Sequence, residues 1–258
     1  MKILLNNHWV DEQSAKLSLL SDAVMFGVGV FETFRTFRGR KLFLLTEHIG
    51  RLLEGAATIG IQVNYSRTEI ASMVERICHE SEYELQRIKV MAWSGEIALF
   101  SSELNIDPMK YKGFTVKSVV QTRALPEIKS TSYLDCHLSY KKAIDSGFSE
   151  ALLIDNQGLV TEGSRSNIFW FDGNKLKTRE SGILPGITRK ALIQLSQGKF
   201  SFESVSLKEL CQKKEVFLSN SILGIVPILG IDQFQIGSGN PGIQTEQLSQ
   251  QFNAICQK

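Results

Sequence analysis

The chain has 258 residues, 43% of them apolar and 22% charged, which places it among globular proteins and excludes a fibrous or disordered chain. Twenty-nine Lys and Arg against 27 Asp and Glu leave a formal charge of +2, too even a balance to point to nucleic acid or an anionic membrane as partner. Cys78, Cys136, Cys211 and Cys256 lie far apart with no paired spacing, so they read as reduced thiols of a cytoplasmic protein, with no disulfide frame and no metal site.

In chain order, Ile3-Leu4-Leu5 runs straight into Asn6-Asn7, too short an apolar stretch for a secretory signal. Val28 to Phe37 turns at Arg38-Gly39-Arg40 and returns as Lys41 to Leu45, a hairpin pattern. Thr46 is the expected N-cap of a helix from Glu47 to about Thr58, with Ile49, Leu52 and Leu53 apolar. Ile70, Met73, Val74 and Ile77 repeat at helical spacing over Arg67 to Glu80. Strands follow at Arg87–Trp93 and Phe114–Gln121. The next helix is capped by Ser130, Thr131 or Ser132, turns Tyr133, Leu134, His137, Leu138 and Ile144 to one face, and closes at Gly147. Short strands run over Ala151–Asp155, Leu159–Glu162 and Asn167–Phe171, separated by polar turns. A helix over Ile187–Gln197 follows Pro185-Gly186, and a strand over Glu215–Leu218 leads into Ser219-Asn220-Ser221. The longest uncharged stretch, Val216 to Ile231, is broken by polar residues and Pro227 and falls short of the roughly 20 residues of a membrane helix. Gln244 to Cys256 reads as an amphipathic helix with Leu248, Phe252 and Ile255 inward. Helices and hairpin-paired strands alternate in both halves, which predicts two α+β layers meeting near residues 116–126.

Four local features carry chemistry, and each also has an ordinary explanation. Leu184-Pro185-Gly186-Ile187-Thr188-Arg189 turns into a helix whose free N–H groups and positive end suit an anion, although most such starts bind nothing. Ser219-Asn220-Ser221 ends a strand with small polar groups that suit a phosphate or a plain turn. Lys129 is a nucleophile or proton carrier if desolvated, and a solvated surface lysine if not. Glu162 ends a strand and suits a base or a partner for a protonated ring nitrogen, or else a turn.

Taken together and in order, Lys129, Val160-Thr161-Glu162-Gly163-Ser164, the Leu184–Arg189 turn and Ser219-Asn220-Ser221 with Ile225-Val226-Pro227 resemble the class IV aminotransferases. Phe26-Gly27-Val28-Gly29-Val30-Phe31-Glu32 and Glu47-His48-Ile49-Gly50-Arg51-Leu52 extend that likeness over nearly the whole chain. The resemblance implies an α+β, two-domain fold-type IV enzyme using pyridoxal 5'-phosphate. A small N-terminal domain (1–117) and an interdomain loop (118–126) would precede a larger C-terminal domain (127–258), with the coenzyme cleft between them. Lys129 would be the Schiff-base lysine and Glu162 the carboxylate facing the pyridine nitrogen. Arg51, Gly186, Ile187, Thr188, Asn220 and Ser221 would form the phosphate cup, and Tyr133 would approach the ring's phenolic oxygen. Many members carry an arginine where Ser94 stands, so Arg35 and Arg165 are the candidates for the substrate carboxylate. The stretch from Ser219 to Ile228 is more like aminodeoxychorismate lyases, which eliminate pyruvate to leave 4-aminobenzoate in folate biosynthesis. A transaminase for D- or branched-chain amino acids is the alternative, and a coenzyme-binding protein with little catalysis a further one. Family members are usually homodimers, and a homodimer is expected.

Overall fold

The computed structural model describes residues 2–257. The chain forms two compact units, one of residues 2–105 with 128–133 and 257, the other of residues 106–127 with 134–256.

In the first unit the order is β1 (Lys2–Leu5), β2 (His8–Asp11), α1 (Asp22–Met25), β3 (Val30–Phe37), β4 (Lys41–Leu42), α2 (Leu45–Thr58), α3 (Arg67–Glu80), β5 (Gln86–Trp93) and β6 (Glu96–Glu103). The strands form one antiparallel sheet in the order β2-β1-β6-β5-β3-β4. Along β3, Val30, Glu32, Phe34 and Thr36 are buried and the residues between them half-buried, the period-2 pattern of a strand with one face on a core. That core holds Ile49 and Leu52 of α2, Ile70 and Val74 of α3, and Ile88 and Val90 of β5. Helix α3 has the predicted bounds, because Ser66 and Glu69 close a reciprocal capping box at its start. Helix α2 departs from prediction. It begins at Leu45 behind Leu44, which adopts left-handed φ and ψ of 52° and 42° and makes no side-chain cap, so Thr46 is not the cap. The hairpin's return strand is correspondingly only two residues long. The β1–β2 hairpin was not predicted, although Asn6 and Asn7 at its tip both take positive φ, as a two-residue primed turn requires.

The second unit comprises β7 (Phe114–Val120), α4 (Leu134–Asp145), β8 (Glu150–Ile154), β9 (Val160–Gly163), β10 (Asn167–Asp172), β11 (Lys175–Thr178), α5 (Ile187–Leu195), β12 (Phe200–Phe202), α6 (Leu207–Leu210), β13 (Val216–Asn220), β14 (Gly224–Ile231), β15 (Phe234–Gln235) and α7 (Ile243–Cys256). Its sheet runs β12-β11-β10-β13-β14-β7-β8-β9, with β15 paired to β14. Val116, Leu152, Ile168, Trp170, Leu218 and Ile228 form the core on one face, while Phe169 and Phe217 stack 5.1 Å apart among the intervening positions of β10 and β13. Helix α7 buries Thr245, Leu248, Phe252 and Cys256, and Ile255 is only half-buried.

Two expectations are corrected. In α4 the buried residues are Cys136, Ser139 and Ala143, whereas Leu134, His137, Leu138 and Ile144 are exposed, because small side chains let the helix lie close against β8. The closure at Gly147 does occur, with φ of 82° and hydrogen bonds from Gly147 N to Ile144 O and Phe148 N to Ala143 O. The boundary expected between 117 and 127 also differs. Strand β7 pairs in parallel with β14 and β8, which assigns residues 106–127 to the second unit. Residues 128–133 rejoin the first, where Ser130 bridges Val30.

Candidate active site

In the first unit, the segment carrying Lys129 lies along the start of β3. Phe31 N donates to Lys129 O at 2.9 Å, Thr131 N to Gly29 O at 2.8 Å, and Thr131 Oγ1 to Gly27 O at 2.7 Å. A Cβ on Gly29 would stand 2.7 Å from Thr131 Oγ1, so the glycine permits this close backbone approach. Ile128 is buried in the first core and anchors the segment. Lys129 is half-buried, and its Nζ lies 4.5 Å from the centre of the Phe31 ring. Tyr133 meets the same ring edge-on at 5.6 Å. Lys89, on the neighbouring strand, approaches it at 5.0 Å, and burial, helped by the charge of Arg87, lowers the pKa of its ammonium. Arg35 is on the same face of β3, four residues from Phe31, with its guanidinium 4.7 Å from the Phe37 ring.

Beneath that face, Arg51 of α2 makes two bonds to Glu32 of β3, Nε to Oε1 at 2.7 Å and Nη2 to Oε2 at 2.8 Å. His48 Nδ1 lies 2.8 Å from Oε2, and both His48 and Glu32 are buried. Burial pushes the Glu32 carboxyl up, but the charge of Arg51 and the bond to His48 outweigh it and hold the group at about 2. Burial lowers His48, against the pull of Glu32, and the charges of Arg51 and Lys129 lower it further. The imidazole is therefore neutral at pH 7, and since an ionised carboxylate only accepts, Nδ1–H is the donor. Sequence reasoning had Glu32 only as part of a strand motif and gave His48 no role.

In the second unit, Glu162 closes β9 and is 4% exposed. Arg123 Nη1 donates to its Oε1 at 2.6 Å and to Pro126 O at 2.9 Å. Leu184 N donates to Oε2 at 3.0 Å, with Asn167 Nδ2 at 3.4 Å. Asn167 also donates to Leu184 O at 2.8 Å, so one amide ties the Glu162 strand to the turn before α5. That turn ends at Gly186, the N-cap of α5, where a Cβ would collide with Asn167 Oδ1. Ile187 and Thr188 follow in the first helical turn, both buried. Arg123 and Asn167 are the residues that sequence reasoning missed, and neither stands in a pattern that could have signalled it.

At the end of β13, Asn220 Oδ1 accepts from Ile222 N at 3.0 Å and Leu223 N at 2.8 Å, an Asx turn. Ser221 is half-buried. The neighbouring Ser219 hydroxyl is buried and has no protein partner, as is that of Ser166. A helix N-terminus and an unpartnered buried hydroxyl are the donor chemistry that a phosphate group requires. Arg165 is exposed and its guanidinium stacks 3.4 Å from the Tyr140 ring centre. Behind it, Glu150 accepts from Ser164 Oγ, and burial raises its carboxyl. The structure thus groups Lys129, Tyr133, Arg51 and Arg35 in the first unit, and Glu162, Gly186, Ile187, Thr188, Asn220, Ser221 and Arg165 in the second.

Comparison with known proteins shows what the chain as a whole is similar to. The model of the family described as amino-transferase class IV matches residues 29–231. Over its whole length the chain is 30% identical to a Methanocaldococcus jannaschii protein provisionally named a branched-chain-amino-acid aminotransferase, covering 97% of that relative. It is 29% identical to the D-alanine aminotransferase of Bacillus licheniformis, over 95% of this chain and 94% of the relative. Among solved structures, the branched-chain aminotransferase of the thermophilic archaeon Thermoproteus uzoniensis with norvaline superposes with a TM-score of 0.91 at 28% identity, over 99% of this chain and 94% of the other.

Proposed function

The chain belongs to the class IV aminotransferases, enzymes of fold type IV that use pyridoxal 5'-phosphate, and from that premise we propose that it transfers the amino group of a branched-chain or D-amino acid to 2-oxoglutarate. The observation that carries this reading is a likeness, 29–30% identity over nearly the whole chain, to aminotransferases named for those two substrate classes. When bound, the coenzyme supplies an aldehyde for the substrate amine and a conjugated ring that takes up the electron pair left at Cα.

The remaining chemistry falls to this chain. Lys129 is assigned to hold the coenzyme and then to carry the proton away from, and back to, the substrate. Glu162, its two oxygens fixed by Arg123 and by Leu184 N with Asn167, is assigned to the ring nitrogen, on which its charge would hold a proton. Tyr133 is assigned to the phenolic oxygen. Arg51, the first turn of α5 at Gly186, Ile187 and Thr188, and Ser221 with the Asn220 backbone are assigned to the phosphate. Arg35 and Arg165 are assigned to the substrate carboxylate. Borohydride reduction of the holoprotein followed by peptide mass spectrometry is expected to find the pyridoxyl group on Lys129, and Lys129→Ala to be colourless and inactive. A label on any other lysine would end the reading.

The second reading, an aminodeoxychorismate lyase, is favoured by the run from Ser219 to Ile228. One pair of assays separates the two. Turnover of leucine or D-alanine with 2-oxoglutarate, and no pyruvate from aminodeoxychorismate alone, is the expected result. Pyruvate without an added oxo acid would reverse it. We also propose a cytoplasmic homodimer. Leu19, Leu20 and Phe26 are 77%, 85% and 69% exposed, large apolar side chains that a second copy would cover, and all four cysteines are free thiols. A monomer in sedimentation experiments would remove the dimer.

A further inference from the structure

We propose that Glu32, seated by His48, is a positioning residue that aims Arg51 at the coenzyme phosphate. The inference rests on the assignment of Arg51 to that phosphate. A guanidinium carries five N–H donors in a planar fork. Glu32 takes two of them, on Nε and Nη2, at 2.7 and 2.8 Å, and two parallel bonds fix both the position and the plane of the fork. His48 holds the carboxylate from a third side through Nδ1 at 2.8 Å. It is three residues from Arg51 on α2, the spacing that brings side chains onto one helix face. Helix and strand are thereby locked through one buried carboxylate, 1% exposed.

The sign of the electrostatics makes the role testable. A carboxylate beside an arginine that binds a dianion weakens the binding by Coulomb repulsion. Removing its charge alone should therefore tighten the phosphate. If Glu32 instead aims the fork, removing it loosens the phosphate despite the lost repulsion.

The experiment titrates the full-length apoprotein with pyridoxal 5'-phosphate and with pyridoxal, which shares the aldehyde and lacks the phosphate. Pyridoxal binding reports that a variant is folded with its amine in place. The ratio of the two affinities isolates the phosphate. Arg51→Gln is expected to lower the ratio about 100-fold and Glu32→Gln about tenfold, with the double variant no lower than Arg51→Gln alone. Glu32→Asp keeps the charge but shortens the reach by one methylene, and is also expected to lower the ratio. It gives the answer should Glu32→Gln fail to fold. If Arg51→Gln lowers the ratio while Glu32→Gln or Glu32→Asp leaves it unchanged or raises it, the positioning role is overturned and the assignment of Arg51 stands. If Arg51→Gln leaves the ratio unchanged, Arg51 does not meet the phosphate and both fall.

Discussion

Glu32 is where a single residue has the largest consequence for stability as well as for the site. Its ordinary value of 4.5 falls to about 2 in the fold. A depressed carboxyl contributes stability that is fully present above the unfolded value and is lost as pH falls through the folded one, so the window lies between about 4.5 and about 2. A shift of that size corresponds to about 3 kcal/mol. Glu32→Gln is expected to unfold more easily in urea at pH 7 by about that amount, and the gap from wild type should close as the pH is lowered through that window. A gap that stayed constant with pH would mean that packing, not ionisation, makes the difference. The residue scale is also where the sequence was most and least informative. Lys129, Glu162 and Gly186 could be picked out because each lies in one of several short motifs whose order along the chain resembles a family, although each alone has an ordinary explanation. Arg123 and the task of Glu32 could not, since each is defined by partners that only the fold brings near: Arg123 meets Glu162 39 residues on, and Glu32 meets Arg51 19 residues on.

At the scale of elements, local capping decides which helix limits could be read. In α3, Ser66 Oγ accepts from Glu69 N at 3.3 Å, and Glu69 Oε2 accepts from Ser66 N at 2.7 Å. The box lies within four consecutive residues, so the sequence displays it whole. In α2 the chain turns through a left-handed leucine with no side-chain cap, and nothing in the residue types announces that. The two starts make opposite predictions. Ser66→Ala should cost about 1 kcal/mol, whereas Thr46→Ala, at the exposed residue expected to cap α2, should change stability by less than about 0.5 kcal/mol. Thermal unfolding of the two variants measures both, and a cost at Thr46 equal to that at Ser66 would refute the account. Helix α4 shows the other way in which local pattern misleads. The apolar period pointed to Leu134 and Leu138, but burial followed side-chain size. Cys136, Ser139 and Ala143 face the sheet, because backbones approach more closely over small residues than over leucine.

On the scale of the whole molecule, the chain leaves the first unit after residue 105, returns for residues 128–133 and leaves again. The sequence could not show this. Residues 128–133 follow β7 and precede α4, both in the second unit, and they join the first through non-local contacts: pairing with Gly29, Val30 and Phe31, the Thr131 bond to Gly27, and the burial of Ile128. The proposed coenzyme lysine is thus held by strand β3, about a hundred residues earlier in the chain. Its anchor is Ile128: the Ile128 and Val30 methyls both close on Gly55, each 3.5 Å from where a Cβ would stand. Because the first core excludes the residues of the second, the loss of this anchor should be felt locally. Ile128→Ala removes a buried aliphatic side chain, a change that costs about 2–5 kcal/mol. Amides of β3 and α2 should lose protection in native-state hydrogen exchange, while those of β10 and β13 keep theirs. The same variant should weaken coenzyme binding more than Ser66→Ala, which lies in the same unit but does not hold the lysine segment. Equal loss of protection in both units would mean that the two cores open as one, and that the lysine strap is not an element of the first unit alone.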